Sequence, residues 1–566
     1  MLFEKVSELI IPFHLPTYFF NQRMHFSRCA NSNKGCFNRE IVIRCVRMRQ
    51  FLFIVSLIGL FTEAFAALLG DGDTNYRVEG VQTQGLYYRD ASFDQPIIGA
   101  KFLLTGEHRF WRIGFRFSDK TNLKSLRKLK LYKTSVNYFS PARATELKGA
   151  KATVVEGREI HFDFWNNGKG PEIIIKPNEH LWLTAQVQPS MPRGSTIDAA
   201  ITHAHVNGIV CMVENEAPIG EGVVYEFDRH VVPYYRMGFI RNWNKNYYNY
   251  VSEVVFFYMR VNNDGTLGHG WDCGKQYDET SFQEALNQLK QGRGSRPVRI
   301  LLGIAHCAGE LSRVTQNPAL REKLAQHILD AVKKYDLDGV DIDWEYPGSA
   351  ADWRGFEALV ADLKPKLFAL GGGKMISSAM SNYKFPEAVN HYGLGLDELK
   401  GLHQQLDMLN TMTYDAASTD GHSPFWLHHQ SKDFATRYAG LPPCKINIGM
   451  PCYTNEHHLD GRLTWKQNGY SWLVGSHLKD LQNKDVFKEN GMLYSYNSIK
   501  TIRTKAKDLK KGGYGVMIWG YDTDAPLNNI HAFARTLAGV FRPSNRPLPV
   551  QDKAPSSTTQ KKAPRR

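Results

Sequence analysis

The sequence predicts an α/β protein in which an all-β, sandwich-like domain precedes a (β/α)8 TIM barrel. The prediction depends on two patterns along the 566 residues. From about 71 to 225, apolar and polar residues alternate with a period of two between clusters of Gly, Pro and Asn, which is typical of the strands of a β-sandwich. From about 233 to 541, short apolar strands alternate with helical segments, which is typical of parallel βα units.

The β-rich region has strand patterns but no long helical pattern. The clearest strands are predicted at 109–117, 159–164, 172–176 and 180–187. His203 and His205 alternate on one strand face, as two ligands of a metal would, but the sequence shows no third ligand, and packed or surface histidines are commoner. We therefore predict no metal site. The region would bind sugar, act as a spacer or dock onto a partner, and the sequence does not distinguish these roles.

Eight strands are predicted in the second region. They are Met237–Ile240, Val254–Met259, Val298–Ile304, Gly339–Glu345, Met375–Met380, Met408–Tyr414, Ile446–Pro451 and Tyr514–Trp519. Helices are predicted between them, including Asn317–Lys334, Trp353–Leu370, Lys432–Ala439 and Ser498–Lys510. Eight βα units form a closed barrel, and barrel enzymes carry their chemistry at the C-terminal ends of the strands.

The fourth predicted strand carries three carboxylates. Because alternate side chains of a strand share a face, Asp341, Asp343 and Glu345 lie in one row, with about 7 Å between successive Cα atoms. Buried charges cost several kcal/mol each unless they are paired, so such a row is unexpected in a strand that serves packing alone. The carboxyls cannot all ionise together, so at least one pKa rises. A raised pKa suits a group that donates a proton near neutral pH.

Two simpler interpretations of the carboxylate row are an exposed edge strand and a calcium loop. A calcium loop would carry Gly at its sixth position and no Trp or Ile between its ligands.

The same segment resembles a family signature. Residues 338–347 read Asp-Gly-Val-Asp-Ile-Asp-Trp-Glu-Tyr-Pro, which closely resembles the strand-four motif Asp-x-x-Asp-x-Asp-x-Glu of glycoside hydrolase family 18, the chitinase family. Further segments resemble family motifs in the expected order: Asn263–Leu267 after strand two, Met412–Asp415 on strand six, Gly449–Tyr453 on strand seven and Trp519 on strand eight. The resemblance covers residues 233–541.

Two positions depart from the family pattern. Members usually carry Ser-x-Gly-Gly on strand three, where this chain has Gly-Ile-Ala-His at 303–306. The Tyr of strand one corresponds to Phe239 or Ile240. In the family, the strand-three Ser-x-Gly-Gly and the strand-one Tyr both support the innermost carboxylate, here Asp341. The support of Asp341 is therefore expected to be altered in this chain. His306 would either substitute for the missing support or be an ordinary packed residue. The segment 454–497 is shorter than the insertion of the deep-cleft subgroup, which suggests a shallower groove and endo-action.

The resemblance implies hydrolysis of β-1,4 bonds between N-acetylglucosamine units with retention of configuration, assisted by the substrate's own acetamido group. Glu345 would be the general acid. Asp343 would orient the acetamido group, and the interaction of Asp343 would pass between Asp341 and Glu345. The implied substrate-binding residues are Tyr414, Asp415, Trp519 and Met412. Asp338 completes the signature as a supporting residue. No cofactor and no metal are implied.

Two rival functions are considered. An endo-β-N-acetylglucosaminidase acting on N-glycans or peptidoglycan shares the acidic signature, but residues 344–347 and 412–415 favour a chitinase. A non-catalytic chitin-binding lectin typically lacks the acid, whereas Glu345 is present.

The chain ends suggest export. An apolar run from Phe51 to Phe61 follows Met48-Arg49 and precedes Ala64-Phe65-Ala66, which is typical of a signal peptide and too short for a membrane span. We therefore predict a signal peptide at 48–66 and a mis-assigned upstream segment at 1–47.

The tail 542–566 has seven basic residues, one acidic residue and few apolar ones, which indicates disorder. Without both ends the net charge is only about +4, which does not indicate a nucleic-acid partner. We expect a secreted monomer.

Overall fold

The computed structural model describes most of the chain between Tyr76 and Phe541. The described ranges are 76–81, 85–89, 92–150, 152–155, 157–164, 171–214, 222–225, 230–236, 245–272, 275–416 and 418–541. The predictions for residues 1–47, 48–66 and 542–566 lie outside these ranges. The chain divides into one unit of residues 1–70 and another of residues 71–566, and every element described below belongs to the second unit.

The all-β region forms a sandwich, as predicted. Its first sheet has the strand order Met212–Glu214, Tyr76–Val81, Gln95–Leu104, His180–Val187, Leu126–Thr134 and Thr145–Glu146. Its second sheet has the order Ile209–Val210, Ala199–Val206, His108–Phe117, Glu159–Asp163 and Ala152–Val155, with Ile173–Ile175 also paired to His108–Phe117. A small third sheet joins Thr196–Ile197, Gly222–Val224 and Leu86–Tyr87.

Alternating apolar side chains hold the two large sheets together. Phe102 and Leu181 of the first sheet and Phe115 and Phe162 of the second are buried in one apolar core. Burying each such side chain contributes about 1.5–3 kcal/mol relative to exposure. The polar residues of the same strands lie on the outer faces of the sandwich, as the period of two requires.

The second region forms a closed barrel of eight parallel strands. The strands are Val231–Arg236, Glu253–Val261, Arg299–Cys307, Gly339–Glu345, Met375–Ser381, Met408–Met412, Ile446–Pro451 and Gly515–Trp519. Each strand pairs with its neighbours in chain order, and the eighth strand pairs with the first. The predicted (β/α)8 barrel is confirmed.

The first strand is not where the sequence predicted it. It runs from Val231 to Arg236, whereas the prediction was Met237–Ile240, a segment outside the described residues. Pro233 explains the error, because proline has no N–H to donate and usually argues against a central strand. The position of this strand brings Tyr234 into the barrel interior.

Helices cover the outside of the barrel. The longer ones are Glu279–Arg293, Ala308–Gln316, Pro318–Lys334, Ala350–Phe368, Leu396–Gln405, Phe425–Ala439 and Ile499–Gly512. The shorter ones are Lys384–Asn390, Tyr470–Ser476, Leu478–Leu481 and Phe533–Ala538, with 3-10 turns at Lys245–Asn249, Pro443–Lys445 and Tyr521–Thr523. A further 3-10 turn, Leu123–Ser125, belongs to the sandwich region. Of the helices described, none combines the length and the apolar character that a membrane crossing requires.

Residues of the sandwich region close the N-terminal end of the barrel. Leu86, Tyr88 and Tyr225 belong to the same buried apolar cluster as Val232 and Met408 of the barrel strands. The Tyr88 hydroxyl donates a hydrogen bond to the backbone oxygen of Asp407 at 2.7 Å and lies 3.1 Å from Nε2 of His230. The two regions therefore share a core.

A small sheet is inserted between the seventh and eighth barrel strands. Its four antiparallel strands have the order Leu463–Gly469, Tyr453–His457, Met492–Ser495 and Val486–Glu489. Shorter strands at Leu267–His269, Trp271–Asp272 and Lys275–Gln276 follow the second barrel strand. The inserted sheet lies beside the C-terminal ends of the barrel strands, because its strand Tyr453–His457 begins two residues after Pro451, the last residue of the seventh barrel strand.

Candidate active site

Three carboxylates follow one face of the fourth barrel strand toward its C-terminal end. Asp341 is fully buried, Asp343 is 3% exposed and Glu345, the last residue of the strand, is exposed. Residues two apart on a strand share a face, so the row leads from the barrel interior to the mouth. The structure brings the three residues together as the sequence predicted.

Asp341 accepts hydrogen bonds from three side chains. The Tyr234 hydroxyl donates to its Oδ1 at 2.6 Å, Asn410 Nδ2 donates to its Oδ2 at 2.9 Å, and the Ser377 hydroxyl also donates to Oδ2. Burial raises the pKa of Asp341, and these donors oppose the rise. Support for Asp341 therefore comes from strands one, five and six. The expectation that Phe239 or Ile240 stands at the strand-one position is wrong, because Tyr234 is there. The His306 side chain lies outside the described residues.

Asp343 has the most strongly perturbed carboxyl of the three. Burial raises the pKa of Asp343 well above its ordinary value, and the charges of Glu345 and Asp341 add to the rise. Its Oδ1 is buried without a hydrogen-bond partner among the described residues. A buried carboxylate oxygen without a donor is costly, whereas a protonated carboxyl is a donor itself. The surroundings of Asp343 therefore favour its protonated form more than those of an ordinary aspartate do.

Glu345 is the carboxyl nearest the solvent. Removal of water from around the carboxyl raises its pKa, the charge of Asp415 adds to the effect, and the Tyr346 hydroxyl opposes it. A carboxyl with a raised pKa that still reaches the mouth of the barrel can donate a proton to a bound molecule.

Tyr414 and Asp415 lie just after the sixth strand, close to the carboxylates. Burial raises the pKa of the Tyr414 hydroxyl, with further contributions from the charges of Asp343, Asp415 and Glu345. Burial alone would raise the pKa of Asp415, but hydrogen bonds from His422, Tyr453 and Asn455 hold it below its ordinary value.

The inserted sheet supplies two of the groups that fix Asp415. Its Oδ1 accepts a hydrogen bond from the Tyr453 hydroxyl at 2.8 Å and another from Asn455 Nδ2. His422 Nδ1 lies 3.2 Å from the same oxygen. Asp415 itself has φ +61°, a backbone conformation that is uncommon outside glycine. The sheet therefore helps to hold an ionised Asp415 at the mouth.

An aromatic surface forms the floor of the site. Trp519 is partly buried at the end of the eighth strand. Its ring makes edge contacts with Tyr234 at 5.7 Å and with Phe257 at 5.1 Å between centroids. Met412 is buried in the same cluster, at the end of the sixth strand. A fixed, flat apolar ring at the mouth can support the face of a sugar.

Asp338 is not part of this group. It directly precedes the fourth strand, at the N-terminal end of the barrel. Its Oδ2 accepts hydrogen bonds from Arg293 at 2.7 Å and from the backbone N–H of Ile300 at 2.9 Å. Asp338 thus ties the helix 279–293 and the third strand to the start of the fourth.

Sequence reasoning missed several site residues. Tyr234, Ser377 and Asn410 surround Asp341, and Arg236 pairs with Asp522 at 2.7 Å after the eighth strand. The sequence did contain a signal for two of these residues, Ser377 and Asn410. Parallel barrel strands are buried on both faces and are normally apolar throughout, so a Ser or Asn inside such a strand indicates a buried polar partner.

Comparison with known proteins gives a family. The model of "Glycosyl hydrolases family 18" matches residues 230–524, which is just over half of the chain and includes the whole barrel up to Asp524. The chain belongs to glycoside hydrolase family 18. The resemblance seen in the motifs is thus confirmed, and the protein is a glycoside hydrolase of the chitinase family.

Curated relatives of this family 18 protein carry chitinase names. Mouse "Chitotriosidase-1" is 24% identical over 366 residues, which are 56% of this chain and 73% of the mouse protein. "Probable chitinase 10" of Drosophila melanogaster is 28% identical over 48% of this chain, but the match spans only 14% of that protein. "Endochitinase 1" of Metarhizium anisopliae is 22% identical over 40% of this chain and 62% of its own length.

Solved structures similar to the family 18 barrel include two chitinases. One from Bacteroides thetaiotaomicron is 21% identical and matches 55% of this chain and 95% of its own, with a TM-score of 0.43. A class V chitinase from Nicotiana tobaccum is 17% identical and matches 55% of this chain and 99% of its own, with a TM-score of 0.45.

Proposed function

We propose that this chain is a chitinase that hydrolyses β-1,4 bonds between N-acetylglucosamine units with retention of configuration. The observation that carries the proposal is the row of carboxylates on the fourth strand. Its innermost member is held by three donors, its middle member has a strongly raised pKa, and its outermost member is exposed at the mouth. Family membership and the names of the relatives are consistent with it.

In the first step, Glu345 donates its proton to the glycosidic oxygen as the bond to the anomeric carbon breaks. The carbonyl oxygen of the substrate's own acetamido group forms the new bond to that carbon, on the opposite face. This route needs no second carboxylate as nucleophile, in contrast to the usual retaining glycosidases. The raised pKa of Asp343 supports the proposal, because a carboxyl that favours its protonated form is a poor nucleophile.

Asp343 has a positioning role in this proposal. The cyclised acetamido group carries a positive charge, and an adjacent carboxyl can accept a hydrogen bond from its N–H. When Glu345 has lost its proton, the proton of Asp343 can hydrogen-bond to Asp341, which leaves the other oxygen free to accept from the acetamido group. The donors around Asp341 stabilise the ionised form that this arrangement needs.

In the second step, water attacks the anomeric carbon and gives a proton to Glu345, which restores the acid. The bond from the acetamido oxygen breaks, and the two inversions at one carbon restore the original configuration. Tyr414 hydrogen-bonds the acetamido oxygen, Asp415 contacts the distorted sugar, and Trp519 with Met412 forms the apolar surface beneath it. Asp338 has a supporting role at the other end of the strand.

The decisive experiment is incubation of the purified protein with chitin oligosaccharides and with a panel of N-glycans, with products identified by mass. We expect shortened N-acetylglucosamine oligomers. Release of whole N-glycans with no cleavage of chitin oligomers would instead indicate an endo-β-N-acetylglucosaminidase. Binding of chitin oligomers without any cleavage would indicate a lectin.

We further propose that the protein is exported after removal of residues up to Ala66. The Ala64-Phe65-Ala66 sequence after an apolar run supports this. Expression from Met48 and N-terminal sequencing of the secreted protein tests it, with a start at Ala67 expected. Residues 1–47 in the exported protein would contradict the proposal.

A further inference from the structure

A group of histidines lies on the outer face of the second sandwich sheet, far along the chain from the barrel motifs. Strands Glu159–Asp163 and Ala199–Val206 lie on either side of strand His108–Phe117. In the register of these strands, Gly114 stands opposite both His161 and His203. The two histidines therefore lie in one row across the sheet, with only a glycine between them.

Gly114 leaves the space in which the histidine side chains meet. A Cβ atom at this position would fall 2.3 Å from Cε1 of His203 and 2.5 Å from Oγ1 of Thr202. Two strand spacings place the backbones of His161 and His203 about 10 Å apart, yet their ring centroids are only 4.5 Å apart. The histidine side chains thus converge over the glycine.

Glu159 brings a carboxylate to the same point. Its Oε1 lies 2.8 Å from Nε2 of His161 and 3.7 Å from Nδ1 of His203. One ligand atom from each of the three residues lies within 4.8 Å of the others. Tetrahedral zinc with bonds of 2.0–2.1 Å separates its ligand atoms by about 3.4 Å, so small side-chain rotations suffice to hold the ion.

The surroundings of the three residues suit a cation. Glu159, His161 and His203 keep 17–20% of their side chains exposed, so an ion can reach them from solvent. The nearby Arg112 pairs with Asp163, and Arg116 pairs with Oε2 of Glu159 at 3.2 Å. The other oxygen of Glu159, Oε1, accepts a hydrogen bond from the Thr202 hydroxyl at 2.7 Å and is the one that lies near both histidines. His203 Nε2 is buried and has no hydrogen-bond partner in the described part of the chain.

A second cluster is less suited to a metal. His428, His429 and Asp508 also bring ligand atoms within 4.8 Å of one another. However, Asp508 Oδ2 already accepts from Lys432 at 2.6 Å and lies 2.8 Å from His428 Nε2. Lys432 and His428 share one oxygen of Asp508, so a metal there would have to displace the ammonium group. In the sandwich cluster, Arg116 pairs with Oε2 of Glu159, whereas the histidines lie near Oε1.

We propose that Glu159, His161 and His203 bind a zinc ion on the sandwich. His205, whose ring centroid lies 5.4 Å from that of His203, or a water molecule completes four ligands. The ion would link two strands that are not adjacent in the sheet, and so would stabilise the sandwich. The inference is independent of the proposed hydrolysis, because none of these residues belongs to the barrel.

The test uses the full-length protein after dialysis against EDTA, with ZnCl2 added back and excess removed. Bound zinc is measured by elemental analysis, CoCl2 is used in parallel for its visible absorption, and thermal unfolding is followed with and without zinc. We expect the wild type to bind zinc and to unfold a few degrees higher with it. His161→Ala and His203→Ala should each lose one equivalent of zinc, the cobalt absorption and the thermal shift.

His429→Ala is the matched control, because it removes a histidine from the other cluster. It should retain the equivalent that the two sandwich variants lose. The proposal is overturned if the wild type binds no zinc, if His161→Ala and His203→Ala bind as much as the wild type, or if His429→Ala loses the same equivalent.

Gly114→Ala tests the geometry without changing a ligand. Its Cβ must displace the His203 ring, so zinc affinity should fall at least tenfold while the variant unfolds at the same temperature as the wild type in EDTA. Zinc affinity equal to that of the wild type would show that the ligands do not converge over Gly114, and would overturn the assignment.

Discussion

At the scale of single residues, the proposed chemistry depends on which of the three carboxyls of the fourth strand carries a proton. Asp341 has three donors around it, Asp343 has an oxygen without a described partner, and Glu345 reaches the mouth. Environment therefore separates three chemically similar carboxyls. Donors stabilise the charge of Asp341, burial and neighbouring charges raise the pKa of Asp343 the most, and Glu345 is the one at the mouth.

Replacement of Glu345 by Gln should nearly abolish hydrolysis while sugar binding persists, because only the transferable proton is lost. Loss of a general acid typically costs about 100- to 10,000-fold in rate. The measurement is kcat on a chitin oligosaccharide, with binding followed by calorimetry. Retention of more than about a tenth of the wild-type kcat would contradict the role of Glu345.

Tyr234→Phe should shift the acidic limb of the pH profile. The Tyr234 hydroxyl donates to Asp341 and opposes the rise in its pKa, so its removal raises that pKa further. Asp341 then becomes protonated at a higher pH, and the fall of kcat/KM on acidification should begin about one to two pH units higher, since a hydrogen bond to a charged group contributes about 1.5–3 kcal/mol.

Tyr496→Phe is the control for this shift. The Tyr496 hydroxyl is buried without a hydrogen-bond partner among the described residues, so its loss should leave the profile unchanged. If Tyr234→Phe lowers kcat equally at every pH, Asp341 is not the group that limits activity in acid.

At the scale of elements, the sandwich region contributes to the stability of the barrel. Tyr88 follows a short sandwich strand and is 5% exposed in the core at the N-terminal end of the barrel. Its hydroxyl is hydrogen-bonded to the backbone just before the sixth barrel strand. The site at the other end of the strands therefore rests on a barrel whose base is closed by a separate part of the chain.

Tyr88→Ala should lower the free energy of unfolding by about 3–5 kcal/mol, the usual cost of truncating a buried aromatic side chain. Calorimetry should show the transition that contains the barrel at a lower temperature. Val154 is 64% exposed, so Val154→Ala is the control and should change the free energy of unfolding little. A barrel transition unaffected by Tyr88→Ala would mean that the sandwich and the barrel are energetically separate.

At the scale of the whole molecule, the proposed mechanism limits the substrate. The acetamido group of the sugar at the cleaved bond is the nucleophile, so fully deacetylated chitosan oligomers should be inert although they keep the same backbone. Chitin oligomers of equal length are the matched substrates. First products, observed by NMR, should be the β-anomer. Efficient cleavage of deacetylated oligomers, or α-anomeric first products, would exclude substrate assistance.

The sequence by itself determined the β-sandwich, the eight parallel strands and the carboxylate row, because these follow from local periodicity and from residues close together in the chain. Of the eight barrel strands, it misplaced the first, where Pro233 obscures the pattern. The partners of Asp341 were decided by the closure of the barrel, which brings strands one, five and six around one carboxyl.

The sandwich shows the same division. His203 and His205 were visible as alternating residues of one strand, but Glu159 and His161 come from a strand two positions away, and the register across Gly114 decides that they meet. The closing of the barrel base by Tyr88 likewise has no signal near it in the sequence. Local pattern fixes which face a side chain takes, whereas long-range strand pairing fixes its neighbours, and only the folded chain shows that pairing.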